Sequence, residues 1–380
     1  MRKLAIDGLF GLWHDGRCGG RMRRKLLAST LLLASAFWVI GASGILPLYQ
    51  HAPREMFSAT DPGDLILAWY GCREMVLRGR NPYGEAVIAE VRQIVKPEQH
   101  GLTDPKWGQM VYPAYTALLL LPTLWMPFSA VQFLFFWLLL AGVVASLYLW
   151  LEFLEIPLSP AAFLAATFLL LLSPSVLQAL ILRQLAVVVA LLISASAVLL
   201  RRRHFFFAGV LLALAGIKPQ MLAMLLIWLL AWSMADWKER KGFAFGFAAA
   251  MAVMLVACEG IFPGWISLWL GALHNAREHG ELSILEIMGG HTFGLVAAAG
   301  AAFCLAVALF RLRAARADSP EFMFAFSLVL LVQLIVLPLT RGYNYLIAIP
   351  AILLLLKPAL VPGVLREGCK AILADWNKPR

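Results

Sequence analysis

Charge is scarce in this sequence. Asp, Glu, Lys and Arg make up 14% of its 380 residues while 61% are hydrophobic, whereas a soluble domain carries about 25% charged residues and is nearer half apolar. A shortfall of this size excludes a soluble globular class, because the bilayer rather than one packed core must absorb the apolar surface. Cysteine is also sparse. Cys18, Cys72, Cys258, Cys304 and Cys369 form no CxxC pair, which excludes a disulfide framework and a zinc site as organising features. No cluster of carboxylates demands a metal, and no internal repeat or low-complexity stretch is present. Neither a metal nor another cofactor is expected.

What the chain has in abundance is apolar sequence, in runs close to the length that crosses about 30 Å of hydrocarbon. Spans are expected at 26–48, 129–151, 158–176, 185–200, 204–217, 219–234, 242–262, 291–310, 321–339 and 344–360. The predicted fold class is all-α, a polytopic membrane protein of about ten transmembrane helices forming one domain over 1–380. The run Pro113–Pro127 is short and interrupted by Pro122, so it reads as an interfacial or re-entrant helix rather than a crossing. The first run follows Arg21, Arg23, Arg24 and Lys25 as a signal-peptide core would, but no convincing small-residue cleavage site follows it. It is read as an uncleaved span.

The net charge of +10 invites a nucleic-acid partner, but the distribution of the charge gives another account. With the N-terminus inside, the cytoplasmic segments hold 21 Lys/Arg against 10 Asp/Glu, and the outer segments hold 11 against 12. That asymmetry is the insertion bias of membrane proteins. It predicts a multi-pass protein of the bacterial inner membrane with a cytoplasmic N-terminus, whose partner is the bilayer and not a nucleic acid. The acidic turn of Glu152 and Glu155 sits awkwardly on this cytoplasmic side, where acidic residues count little in the bias.

This orientation leaves two long periplasmic segments, about 49–128 and about 263–290. In the first, Asp64–Leu77 carries apolar residues at helical spacing and is expected to lie on the membrane surface. A second amphipathic helix follows the turn Asn81-Pro82-Tyr83. The other segment is aromatic and then polar, with Trp265, Trp269, His274 and His279.

Sorted by side, the polar residues near apolar runs collect at the outer face: Asp61, Asp64, Tyr112, Arg183, Gln184, Lys218, His274, Arg341, Tyr343 and Asn344. An ionisable group at the edge of hydrocarbon is costly unless it is paired or faces a wet cavity, so the collection predicts a shared polar cavity. The blander reading is that each side chain snorkels to the interface. Lys218, fixed between Ile217 and Pro219 in a two-residue turn, and Arg183, between Leu182 and Gln184, point instead to function. For Asp61 and Asp64 the blander reading is helix N-capping.

The stretch Asp64-Leu-Ile-Leu-Ala-Trp-Tyr70, continued by Leu77-Arg-Gly79-Arg-Asn81-Pro82-Tyr83, resembles the first outer loop of glycosyltransferase family 87. These are membrane enzymes of the GT-C fold that use polyprenyl-phosphate sugars, mycobacterial mannosyltransferases among them. Tyr112-Pro113 is similar to the family's Tyr-Pro-Pro, with Ala114 in place of the second proline. Gln184 stands where the family has Gly-Gln, with Arg183 replacing the glycine, and Lys218-Pro219 matches a later Lys-Pro. The resemblance runs from about residue 60 to 235 and more weakly to the end, and Gly289–Gly294 shows little of the family pattern.

The resemblance implies transfer of a sugar, mannose-like or other, from a polyprenyl-phosphate donor to a hydroxyl of a glycolipid or glycan acceptor at the periplasmic face, with inversion. Asp64 matches the family's general base by its spacing to Tyr70 and Asn81, with Asp61 as the alternative. Lys218, Arg183 and Arg341 would stabilise the leaving phosphate, with Gln184, Tyr112, Tyr343 and Asn344 in the substrate site. His274 or His279 would bind phosphate or orient the acceptor. A monomer is expected. A lipid or sugar transporter or flippase and a non-catalytic envelope-assembly component stay open as alternatives. Transporters, however, favour ionisable groups at mid-depth on repeated halves, and here they lie at one surface.

Overall fold

Hydrocarbon leaves backbone polar groups no partner but each other, so apolar runs of this kind fold as helices. The computed structural model describes residues 63–96, 108–278, 283–337 and 341–360, and among these every regular element is helical. The expected first span, Asp61 and His279 lie outside the described residues.

The chain runs through α1 (Leu65–Arg78), α2 (Glu85–Val95) and the short α3 (Thr116–Leu120) before α4 (Phe128–Phe153). A bent pair follows, α5 (Pro160–Leu171) and α6 (Pro174–Ile181), then α7 (Ala186–Arg201) and α8 (Phe205–Leu214). Two 3-10 turns, Ala215–Ile217 and Pro219–Met221, lead into α9 (Ala223–Ala235), α10 (Trp237–Ile261), α11 (Trp265–Glu278) and α12 (Ile284–Leu312). The described chain ends with α13 (Pro320–Val336), a 3-10 segment Gly342–Ala348 and α14 (Ile349–Leu360).

Three helical stretches are long and apolar enough to cross a membrane: α4, α10 and the Gly290–Leu312 part of α12. The pair α5–α6 passes the same test jointly but is bent by 66°. Proline accounts for the bend, since Pro174 lacks the N–H that would continue α5 and its ring disfavours helical backbone before it. Ser173 turns the break into a start by accepting the backbone N–H of Val176. The remaining apolar helices are shorter. At 1.5 Å per residue a helix of 16 residues reaches only about 24 Å, and α8 and α14 are lengthened by their adjoining 3-10 segments. The protein is therefore a helical membrane protein.

Two expectations for the 49–128 segment are sharpened. The run 113–127 folds as the five-residue α3 and one 3-10 turn, far short of a crossing. Asp64–Leu77 is helical as expected, but it does not lie open on a surface. Leu65, Ile66, Ala68, Trp69, Cys72 and Met75 are buried in the protein. The reason is polar: α3 and its turn end in carbonyls without helical partners, and α1 supplies donors. Trp69 Nε1 donates to Thr123 O at 3.2 Å and Arg73 Nε to Leu124 O at 3.1 Å.

The same helix is tied to α2 by charge. Arg80 grips Glu90 at 2.7 and 3.0 Å and reaches the buried Glu74 at 2.8 Å, while Tyr70 Oη donates to Glu90 at 2.8 Å. Hydrogen bonds from Arg80 and Tyr70 hold the Glu90 carboxyl below its ordinary range. Burial and the bond to Glu90 push the Tyr70 hydroxyl up to about 12.

The two ends of the bundle differ. At one end Glu152 and Glu155, the acidic turn that departs from the charge pattern, pair with Arg202 (2.6 Å) and Arg201. Arg203 pairs there with Glu239. Nearby, the buried Arg240 donates to the carbonyls of Trp232, Arg313 and Ala314 at 3.0–3.2 Å and lies 4.3 Å from the Trp232 ring centre. Next to this end, α8 and α10 pack in backbone contact: a Cβ on Gly246 would fall 2.0 Å from Phe206 O, and one on Gly209 2.2 Å from Phe243 O. Small residues are what allow helices in a membrane to approach this closely. The opposite end gathers the turns that form the site.

Candidate active site

The α6–α7 turn is the scaffold. Helix α6 closes when Arg183 adopts φ +50, the left-handed conformation that usually ends a helix on glycine. The Arg183 and Gln184 N–H groups then fold back onto the carbonyls of Leu180 (3.2 Å) and Ala179 (2.8 Å). This reversal carries Gln184 inward, to 2% exposure. The resemblance to a Gly-Gln pair now has a physical content, because the position that holds Arg183 is one whose backbone suits glycine.

Asp64 meets this turn from the other side. It occupies the N-cap position of α1, but its backbone (φ −77, ψ −13) is helical and its side chain makes no cap hydrogen bond. A capping aspartate takes extended backbone and bonds the N2 or N3 amide, so the blander reading is not realised. Instead the carboxylate accepts from Gln184 Nε2, and the Asp64 N–H donates to Leu182 O at 2.9 Å.

Lys218 enters from the α8–α9 turn, between the two 3-10 turns and with Pro219 after it. It is 6% exposed, which is the reverse of snorkelling. Its ammonium donates to Gln184 Oε1 at 3.1 Å and to Asn344 Oδ1 at 3.3 Å. The Tyr343 ring centre lies 4.4 Å from Nζ and that of Tyr112 5.9 Å away, within the range of cation–π attraction. Tyr112 Oη donates to the same Gln184 oxygen at 3.2 Å. Five of the residues singled out from the sequence, Asp64, Tyr112, Gln184, Lys218 and Asn344, thus form one hydrogen-bonded cluster, and Tyr343 stacks onto it.

The others sit around it. Arg183 is half-buried in the same turn, with Nη1 donating to Ile181 O at 3.1 Å. Arg341 is exposed at the start of the 3-10 segment that carries Tyr343 and Asn344, and its carbonyl accepts the Asn344 N–H at 2.9 Å. His274 is exposed on α11. Neither Arg341 nor His274 bonds Gln184. Among the described residues, no three His, Cys, Asp or Glu side chains stand together in a way that would hold a metal.

Tyr83, Trp265 and Trp269, named in the sequence without a role, support the site, and Tyr115, which the sequence reading missed, joins them. Tyr83 Oη donates to Tyr112 O at 2.9 Å, and Trp269 Nε1 donates to Val111 O at 3.0 Å, fixing the irregular segment that presents Tyr112. Tyr115 Oη donates to Gly216 O at 2.7 Å, joining that segment to the turn of Lys218. Trp265 stands edge-on to Tyr115 at 5.7 Å. The available signal was general: a buried tyrosine or tryptophan keeps a polar tip that needs a partner, but sequence does not say which.

The model of glycosyltransferase family 87 matches residues 110–338, more than half of the chain. The match includes Tyr112, Arg183, Gln184, Lys218 and His274. It begins after Asp64 and ends shortly before Arg341, Tyr343 and Asn344. No curated protein and no solved structure matches the chain.

Proposed function

This chain belongs to glycosyltransferase family 87, a family of enzymes that transfer sugars, and from that premise we propose that it moves a sugar from a polyprenyl-phosphate donor to an acceptor hydroxyl at the periplasmic face, with inversion. Asp64 takes the proton of the acceptor hydroxyl as its oxygen attacks the anomeric carbon. The bond from that carbon to the phosphate oxygen breaks on the opposite face, and the lipid phosphate leaves. A positioned general base contributes about 10²–10⁴-fold. Charge grows on the phosphate in the transition state, and Lys218, with Arg183 and Arg341, stabilises it more than it stabilises the bound donor.

The observation that carries this reading is that one buried amide, Gln184, touches both the Asp64 carboxylate and the Lys218 ammonium. A base and a cation are thereby brought together from two distant parts of the chain, at one end of a membrane bundle. A groove of about 570 Å³ beside α10 and α11, lined by Leu255, Val256, Ile266 and Leu270 with Glu259 at its edge, suits the polyprenyl chain. Placed in the bilayer as a monomer, the enzyme would take its donor directly from the lipid phase and its glycolipid or glycan acceptor from outside.

The test is an in vitro assay with polyprenyl-phosphate sugars. Asp64→Asn is expected to lose about 10²–10⁴-fold in transfer rate. If Asp64→Asn and Asp61→Asn both keep full activity, the general-base assignment is wrong. A reporter fused after Arg203 should read cytoplasmic, and an external signal would reverse the orientation.

A further inference from the structure

We infer that Gln184 is a positioning residue of this site, one that fixes the Asp64 carboxylate relative to the Lys218 ammonium rather than contacting the donor or acceptor. The inference rests on the transferase reading above and reassigns a residue that the sequence placed among the substrate-binding groups.

The hydrogen-bonding capacity of the side chain makes the case. A glutamine amide offers two acceptor sites on oxygen and two N–H donors. Both oxygen sites are used, one by Lys218 Nζ at 3.1 Å and one by Tyr112 Oη at 3.2 Å. One N–H goes to Asp64 Oδ2. The orientation of the amide is forced, because an ammonium can only donate and an ionised carboxylate can only accept. With the side chain 2% exposed, little of it is left to offer a substrate. What it does offer is a rigid neutral link between two charged groups that arrive on different elements, the start of α1 and the α8–α9 turn.

The link is itself held. The left-handed Arg183 and the backbone bonds of residues 183 and 184 to α6 set where the Gln184 side chain begins. The Asp64 N–H is docked on Leu182 of the same turn. Backbone and side chain of Asp64 are therefore both registered to one turn. Displacing a reacting group by about 1 Å costs about 10²-fold in rate, so losing the side-chain half of that registration should appear in the chemical step.

The deciding experiment compares full-length Gln184→Met and Gln184→Glu with wild type in detergent. Polyprenyl-phosphate mannose serves as donor, or its arabinose counterpart if only that supports turnover. Methionine keeps the length and removes all three bonds. Glutamate keeps an oxygen for Lys218 and Tyr112 but gives Asp64 a second carboxylate in place of a donor. The expected result is a fall in kcat of about 10–100-fold in both, with the donor KM within about twofold of wild type.

A folded Gln184→Met enzyme with wild-type kcat, or with its loss confined to KM, overturns the inference. So does loss of folded protein in both variants, which is the mark of a purely structural amide. If one variant fails to fold, the kcat and KM of the other decide. The Asp64→Asn enzyme separates the two levels: full activity there overturns the parent reading, while inactivity alongside an unaffected Gln184→Met overturns only the positioning role. A wild-type chain that turns over neither donor overturns both.

Discussion

The N–H of Asp64 donates to the carbonyl of Leu182 at 2.9 Å, and the residue that permits this approach is Gly63. It has φ +57, and a Cβ added there would fall 2.7 Å from the same Leu182 oxygen. Gly63→Ala is expected to push the start of α1 off the α6–α7 turn. The left-handed backbone alone costs an L-residue about 1–2 kcal/mol, and the contact adds to it. The transfer rate per folded molecule should fall at least about tenfold, read as kcat on protein that elutes as a single species in detergent. A wild-type rate would mean that this docking does not place the base.

Arg183 holds a left-handed backbone with a side chain that does not favour it. Arg183→Gly relieves strain of about 1 kcal/mol, partly offset by the greater freedom glycine has in the unfolded chain. The thermal midpoint should be no lower than wild type. Transfer should fall about tenfold or more if the guanidinium serves the leaving phosphate. Stability and activity are predicted to part company, and activity held at the wild-type level would remove Arg183 from the phosphate site.

Lys218 is fitted as an ammonium, between two amide oxygens at 3.1 and 3.3 Å and the Tyr343 ring at 4.4 Å. Lys218→Met should cost about 10²–10³-fold in kcat, the usual effect of removing a group aimed at developing charge. Lys218→Arg should not restore the rate, since a planar guanidinium cannot occupy a space shaped for a compact point charge. Full rescue by arginine would show that positive charge alone is what the site needs.

The α1–α2 contact should have a pH window. Glu90, held below its ordinary 4.5, contributes stability that is present above that value and lost as pH falls through its lowered folded value. Tyr70, raised from 10.0 to about 12, contributes stability that is present below pH 10.0 and lost as pH rises toward about 12. Limited proteolysis of the 70–96 region should accordingly be slow between these limits and faster beyond both. Glu90→Gln should remove the acidic limit and leave the alkaline one in place.

Much of this protein follows from its sequence. The helical membrane architecture does, because a continuous apolar run of about 20 residues satisfies its own backbone in hydrocarbon as a helix. The turn at Pro219 and the short run 113–127 do as well. The single span expected at 158–176 is corrected by the break before Pro174, where proline removes a helical N–H and disfavours helical backbone before it. The choice of Asp64, Lys218 and Gln184 as residues of interest rested on their rarity at the edges of apolar runs and on a family pattern of short motifs.

Tertiary structure decided what those residues do to one another. Asp64 at the head of a helix reads as a cap, and only the packing of α1 against the α6–α7 turn directs its carboxylate to Gln184 instead. Lys218 stands out by its place in a tight turn between apolar runs, and only the approach of Tyr343 and Asn344 encloses it. Local sequence sets backbone preference and hydrophobic period, both properties of near neighbours. Hydrogen-bond partners 34, 120 and 126 positions apart are set by how whole helices pack, and that is where the site was decided.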